Sequence, residues 1–262
     1  MSFSSVLVAP QGRSSVLSST TLDTPGFRWL GLKKLTWQDP NGISREWECA
    51  FRPTRRSECD GVAVVVFLRY PVSGKEDEVV LVSQYRPPVA AEVIESPAGL
   101  MDEGEDAKAT AERELLEETG FSGKVTFVSP IVVCDPGMTD AIMRFVTIEV
   151  DGDSEKNKNP VARLEEGEFI TLRRLPVASM QGGLEALVKG GFQVDARLYA
   201  MALGYTLAGR KCSSLPTLVT FNRRSIRCNL EPQRLWNVCG ARVGAYCTPM
   251  AHAGILAQIR AH

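Results

Sequence analysis

Apolar residues arrive in short runs through the first half of the chain, each run closed by a turn signal. Phe27–Trp37 and Arg45–Arg52 read as extended segments joined by Asp39-Pro40-Asn41-Gly42, which predicts a β-hairpin. Gly61–Tyr70 and Glu78–Tyr85 are rich in Val and Leu, as strands buried on both faces are, and a polar loop containing Gly74 separates them. Ala91–Glu95 predicts a further strand running into Pro97 and Gly99. Asp106–Thr119 predicts a helix: Asp106 is an N-cap type, Ala107, Ala109 and Ala111 are strong formers, and Gly120 stands where a terminating glycine belongs. Strands are expected again at Lys124–Val133, Ala141–Val150 and Glu168–Leu172, then helices near Leu184–Lys189 and Val194–Ala208. Many strands with few interspersed helices, and no strict βαβ alternation, predict an α+β fold with a mixed sheet. There is no internal repeat.

Length and composition narrow this only a little. A chain of 262 residues is long enough for a core that needs neither disulfides nor a structural metal. The net charge of −1 gives no argument for nucleic acid or an anionic membrane. Its distribution is uneven: residues 1–210 hold 23 basic and 30 acidic side chains, while residues from Lys211 onward hold seven basic ones and the single acid Glu231. The shift predicts a boundary near 210. Residues 1–22, Ser/Thr-rich and without acids, read as a disordered arm ahead of a domain at 23–210, and 211–262 as a basic, cysteine-bearing, weakly ordered tail. Seven cysteines without a C-x-x-C pair do not make a secreted disulfide framework, and no apolar leader or membrane span is visible. The expected setting is the cytoplasm or the nucleus. Six arginines scattered over the tail are a weak nucleic-acid footprint.

The chemistry concentrates in Gly99–Phe121, GLMDEGEDAKATAERELLEETGF. On a helix Glu114 and Glu118 are i,i+4 neighbours and Glu117 is three residues from Glu114, so the three carboxylates share a face. Between Glu92 and Phe121 there are ten acids and only two bases, Lys108 and Arg113. Three glutamates alone would fit a solvated acidic face. Clustered hard oxygen donors without His or Cys instead favour Mg²⁺ or Mn²⁺ over zinc.

The whole segment resembles the Nudix box: Gly99, five residues, Glu105, seven residues, then Arg113-Glu114-Leu115-x-Glu117-Glu118-x-Gly120-Phe121. The resemblance implies a Nudix α/β/α sandwich with the N-terminal hairpin as an added sheet, and Mg²⁺-dependent hydrolysis of a diphosphate, with Mn²⁺ as a substitute ion. By the same resemblance Glu114 and Glu118 are direct metal ligands, Glu117 a ligand or a holder of metal-bound water, and the Ala98 carbonyl a backbone ligand. Arg113 orients the glutamates by pairing with Glu105; a role for both in bracing the loop alone stays open.

Beyond the box, residues from about Phe27 to Gly209 are similar to the ADP-ribose and ADP-sugar pyrophosphatases of that family. The likeness runs through Trp47-Glu48, Gln84-Tyr85-Arg86-Pro87-Pro88, Glu95-Ser96-Pro97-Ala98-Gly99-Leu100, Asp135-Pro136-Gly137-Met138-Thr139-Asp140 and Val194-Asp195-Ala196-Arg197. It implies that Trp29 and Trp47 sandwich the adenine, that Glu48 accepts from its amino group, and that Arg52 and Arg86 hold phosphates, with Leu100 and Asp135 also contacting substrate. Stacking on a base contributes roughly 1–3 kcal/mol without choosing the base, so Glu48 would supply the choice. The general base is expected on the loop Arg163–Glu168, where Glu168 fits the family pattern best and Glu165 and Glu166 compete. The likeness further implies a homodimer whose adenine site draws on both subunits. The rival readings are a Nudix hydrolase for NADH, ADP-glucose or an oxidised nucleotide, and a non-catalytic ADP-ribose sensor.

Overall fold

A computed structural model describes residues 13–213, with side chains through residue 209. The elements run β1 (Ser15–Thr21), β2 (Gly31–Gln38), β3 (Ser44–Phe51), β4 (Gly61–Arg69), β5 (Glu78–Arg86), β6 (Ala91–Glu95), β7 (Ala98–Leu100) and α1 (Ala107–Thr119). They continue through β8 (Lys124–Val128), β9 (Val132–Val133), β10 (Ile142–Asp151), α2 (Glu155–Lys158), β11 (Thr171–Pro176), α3 (Met180–Lys189), β12 (Gln193–Val194) and α4 (Ala196–Ser213).

Strands β1, β2 and β3 form an antiparallel sheet of their own, and the β2–β3 hairpin turns at 39–43 as expected. Asp39 makes that turn: its carboxylate accepts from the backbone N–H of Asn41 and Ile43, and Arg45 holds it from the side. The second sheet has nine strands in the path β12-β6-β5-β4-β10-β8, with β11 on β5, β7 on β4 and β9 on β10. Pairs β4–β10 and β6–β12 are parallel and the others antiparallel, so the sheet is mixed. This is the α+β arrangement expected.

Alternation along the central strands divides the core in two. Val62, Val64, Val66 and Leu68 of β4 meet Val146, Ile148 and Val150 of β10 beneath Ala107, Ala111 and Leu115 of α1. Val79 and Leu81 of β5 turn the other way and pack with Ile94, Met180, Leu184, Leu198 and Ala202, which brings α3 and α4 over that side. Full burial of one such Leu or Val side chain contributes about 1.5–3 kcal/mol.

Three expectations need correction. Residues 15–21, read as part of a disordered arm, form β1 against the open edge of β2. Every residue of β1 is exposed, and its register shifts between Val16 and Ser18, so no alternation marks it in the sequence. The single strand expected at Lys124–Val133 is interrupted at 129–131, where Pro130 lacks the N–H a ladder needs. The strand expected at Glu168–Leu172 begins at Thr171, leaving Glu168 on a loop. Helix α4 runs past 210 to Ser213; residues 1–12 of the arm and 214–262 of the tail lie outside the described residues. No helix among the described residues is long and apolar enough to cross a membrane.

Candidate active site

Helix α1 begins as its sequence dictates, with the Asp106 carboxylate accepting from Ala109 N–H at 2.8 Å, and it ends at Gly120 in the left-handed region with φ 75°. Ala111, Leu115 and Glu118 follow one another at helical spacing along the packed stripe, which is why Glu118 is only 4% exposed. Its carboxylate accepts from Ala98 N–H at 3.1 Å. Ala98 and Gly99 are held there by β7, whose pairing with the start of β4 sets Gly99 opposite Val62 and Leu100 opposite Gly61. Gly99 is needed for space, since a Cβ on it would lie 1.8 Å from Glu114 Oε1.

Arg113 organises the remaining acids. Its Nε and Nη2 donate to the two Glu105 oxygens at 3.0 Å each, and Nη1 donates to Glu114 at 2.8 Å and Glu117 at 3.0 Å. Nη2 also reaches the Leu100 carbonyl. The guanidinium holds the Glu105 carboxyl below the usual carboxylate range. Burial pushes the Glu114 carboxyl up despite Arg113 beside it. Burial, with the Glu114 charge next, pushes Glu118 up to about 8. The Glu168 charge adds to both upward shifts. In the loop, the Glu168 carboxylate accepts from Glu165 N–H at 2.9 Å.

Among the described residues no three His, Cys, Asp or Glu side chains already form a metal cage. Arg113 draws Glu114 and Glu117 together while Glu118 holds to Ala98. The donor set nevertheless fits a divalent cation. Glu118 is a buried carboxylate without an ion-pair partner among the described residues, flanked by Glu114 and Glu168, and hard oxygen donors in that density suit Mg²⁺ or Mn²⁺.

A cleft of about 570 Å³ opens beside Ala98, Gly99 and Leu100. Three arginines line it: Arg52, Arg86 and Arg197. Arg86 is held by Glu95 at 2.8 Å and Arg197 by Asp195 at 2.6 Å. Arg52 has no ion-pair partner among the described residues. Glu95, Asp195 and Arg197 went unassigned in the sequence, although all three stand inside stretches that carry the family likeness.

A second recess contains Trp47 and Glu48 with Lys34, Glu46, Gly137 and Met138. Trp47 and Glu48 are consecutive, so they leave the strand on opposite faces; both reach the recess because β3 is the edge of its sheet. Trp47 Nε1 donates to the Gly137 carbonyl at 3.1 Å, and its ring meets Trp37 edge-on at 6.5 Å. Trp29 precedes β2, is 54% exposed and stacks under Arg28. Trp29 does not line the recess, which therefore holds one of the two tryptophans expected to sandwich a base. Asp135 lines neither cavity and instead turns its own loop, accepting from Gly137 N–H.

Comparisons with known proteins match the domain that carries this glutamate-bearing helix. Residues 61–198 match the NUDIX domain. The chain belongs to the Nudix family. It is 40% identical over 206 residues to the ADP-ribose pyrophosphatase of Saccharomyces cerevisiae, covering 78% of this chain and 89% of that protein. It is 36% identical over 193 residues to the ADP-sugar pyrophosphatase of Mus musculus, covering 73% and 88%. Among solved structures, one described as an ADP compounds hydrolase superposes with a TM-score of 0.54 at 20% identity, covering 77% of this chain and 96% of that one. At that identity the match bears on the fold alone, and it agrees with the Nudix sandwich. Hydrolases of this family generally need divalent metal ions.

Proposed function

We propose that this Nudix protein hydrolyses the pyrophosphate bond of ADP-ribose and related ADP-sugars, using Mg²⁺, with Mn²⁺ able to replace it. The observation that carries the reading is the juxtaposition of partly buried Glu114 and buried Glu118 with the arginine-lined cleft at Ala98–Leu100. The two named pyrophosphatase relatives, each matched over most of its length, point to the same substrate class.

In this reading the Ala98 carbonyl, Glu114, Glu117 and Glu118 hold the ion. A divalent ion bound there neutralises the diphosphate bridge and lowers the pKa of water near neutral pH. Arg86, braced by Glu95, and Arg52 on the same cleft wall hold the phosphates, where a guanidinium gives planar two-point recognition. Leu100, on the cleft wall, contacts the sugar side. Glu168 accepts the proton of the attacking water; its charge already acts on Glu114 and Glu118. Arg113 and Glu105 keep the glutamates in register. Water attacks phosphorus, the bridging P–O bond breaks, and AMP and ribose 5-phosphate leave.

Trp29 and Trp47 enclose the adenine from two subunits and Glu48 reads its amino group. The exposed β1–β3 sheet, with Val16, Leu17, Leu32 and Trp47 open to solvent, supports a homodimer covering it.

Product analysis of the purified chain with ADP-ribose and Mg²⁺, beside an EDTA control, tests the reading. Metal-dependent release of AMP and ribose 5-phosphate is expected. Binding without release would replace it with a sensor, and release only from another diphosphate would replace the substrate.

A further inference from the structure

The segment Cys134–Ile142 serves both cavities. Cys134, Ala141 and Ile142 line the cleft, while Gly137 and Met138 line the recess beside Trp47 and Glu48. A substrate spanning base and diphosphate needs these two walls at a fixed separation, so whatever holds this loop sets substrate fit.

The holding device is a chain of four charged side chains. Arg55, in the link between β3 and β4, donates from Nε and Nη2 to the two oxygens of Asp60 at 2.8 and 2.7 Å. The same Nη2 reaches the carbonyl of Asp140 at 2.9 Å and its carboxylate at 3.2 Å. The other carboxylate oxygen of Asp140 accepts from Lys33 of β2 at 2.7 Å. Asp60 is buried, lines the cleft, and accepts in addition from Ile142 N–H at 2.8 Å. The loop is then stitched to β3 by Ala50 N–H to the Met138 carbonyl, Asp140 N–H to the Ala50 carbonyl, and Trp47 Nε1 to the Gly137 carbonyl.

Local stability alone does not account for this wiring. Asp60 could be satisfied by one bidentate arginine and the Ile142 amide, yet Arg55 extends to Asp140 and Asp140 to another sheet. The result joins the cleft wall at Asp60, the loop at Asp140 and the N-terminal sheet at Lys33.

We infer that Arg55 is a positioning residue that locks the 134–140 loop between the two cavities and so sets which base is accepted, without touching substrate. The inference rests on the proposed reading of the recess as the base site. Lysine keeps the charge but cannot hold Asp60 at two points and Asp140 at once.

The test pairs hydrogen exchange with kinetics on the full chain carrying Arg55→Lys, and separately Asp140→Asn. Loosening the lock predicts exchange about tenfold faster at the Ala50 and Asp140 amides, with the amides of α1 and β4 unchanged. It also predicts KM for ADP-ribose raised about tenfold, kcat within about threefold, and a lower preference for ADP-ribose over inosine diphosphate ribose. Unchanged exchange at Ala50 and Asp140, faster exchange throughout the fold, or loss of kcat at constant KM and constant base preference would each overturn it. If the unsubstituted chain hydrolyses neither compound, the proposed function fails, while the exchange comparison still decides whether Arg55 locks the loop.

Discussion

Gly99 and Glu114 share a space too small for one more carbon: a Cβ on residue 99 would lie 1.8 Å from Oε1 and 1.9 Å from the carboxyl carbon of Glu114. The clash is with the end of a flexible side chain, so the fold can yield by swinging Glu114 aside. The expected outcome for Gly99→Ala is therefore a mostly intact protein with a displaced ligand. Turnover should fall by about a hundredfold, the usual cost of a displacement near 1 Å at a reacting centre. Thermal melting beside steady-state kinetics checks this, and wild-type turnover in a folded Gly99→Ala chain would refute the role given to Glu114.

Arg113 carries a different kind of dependence. Among the described residues it is the one cation in contact with Glu105, Glu114 and Glu117, and its side chain is 27% exposed. Arg113→Met removes the cation and leaves three partly buried carboxylates facing one another, so stability should drop by about 3–5 kcal/mol, the usual effect of breaking a buried charged set. Arg113→Lys should recover part of that stability but little activity, because an ammonium cannot bond Glu105 at two points while bridging Glu114 and Glu117. Urea unfolding of the two variants separates these outcomes. Equal stability of both with wild type would mean that the guanidinium organises nothing.

How far the sequence alone reached can be traced along the same residues. The helix, its Asp106 cap and its Gly120 stop were legible because each rests on local chemistry within a turn or two. The central strands were legible because burial on both faces leaves unbroken Val and Leu runs. Strand β1 was not, because an exposed edge strand is held by backbone pairing, which leaves no side-chain signature. Strand β7 was missed because its three residues pair with β4 across the fold. The glutamates were found by spacing, yet the sharing of Arg113 among three of them is a matter of rotamers, as is the pairing of Arg86 with Glu95. The Lys33–Asp140–Arg55–Asp60 chain joins residues up to 107 positions apart, beyond any local pattern.

Glu118 gives a pH dependence whose sign follows from its burial. Its carboxyl stands at about 8 in the fold against an ordinary 4.5, so the folded state retains a proton that the unfolded chain releases. Stability from this group is complete below the ordinary value and is lost as pH rises through about 8. In EDTA, melting temperature should fall between about pH 5 and 8 more steeply for wild type than for Glu118→Gln. Mg²⁺ should raise the wild-type melting temperature more at pH 8 than at pH 6, since binding must displace the proton at the lower pH. Identical slopes for the two proteins would mean that Glu118 does not carry this proton.

The exposed N-terminal sheet yields the last expectation. Val16 pairs with Trp37 in register, on the face that also carries Leu35 and Trp47, and it is 62% exposed. A small sheet with an apolar face needs a cover to be stable. If a second chain supplies it, a charge at Val16 is placed inside an interface without a partner, which disfavours association by several kcal/mol. Val16→Asp should then sediment as single chains where wild type sediments as pairs. Because Trp29 does not line the recess beside Trp47, separation should also remove one wall of the proposed two-subunit base site. The KM for ADP-ribose should rise by about tenfold or more from the lost stacking, whereas the glutamates of α1, remote from this sheet, should keep kcat near its original value. A paired Val16→Asp protein would place the interface elsewhere, and a single-chain variant with unaltered KM would show that one subunit binds the base unaided.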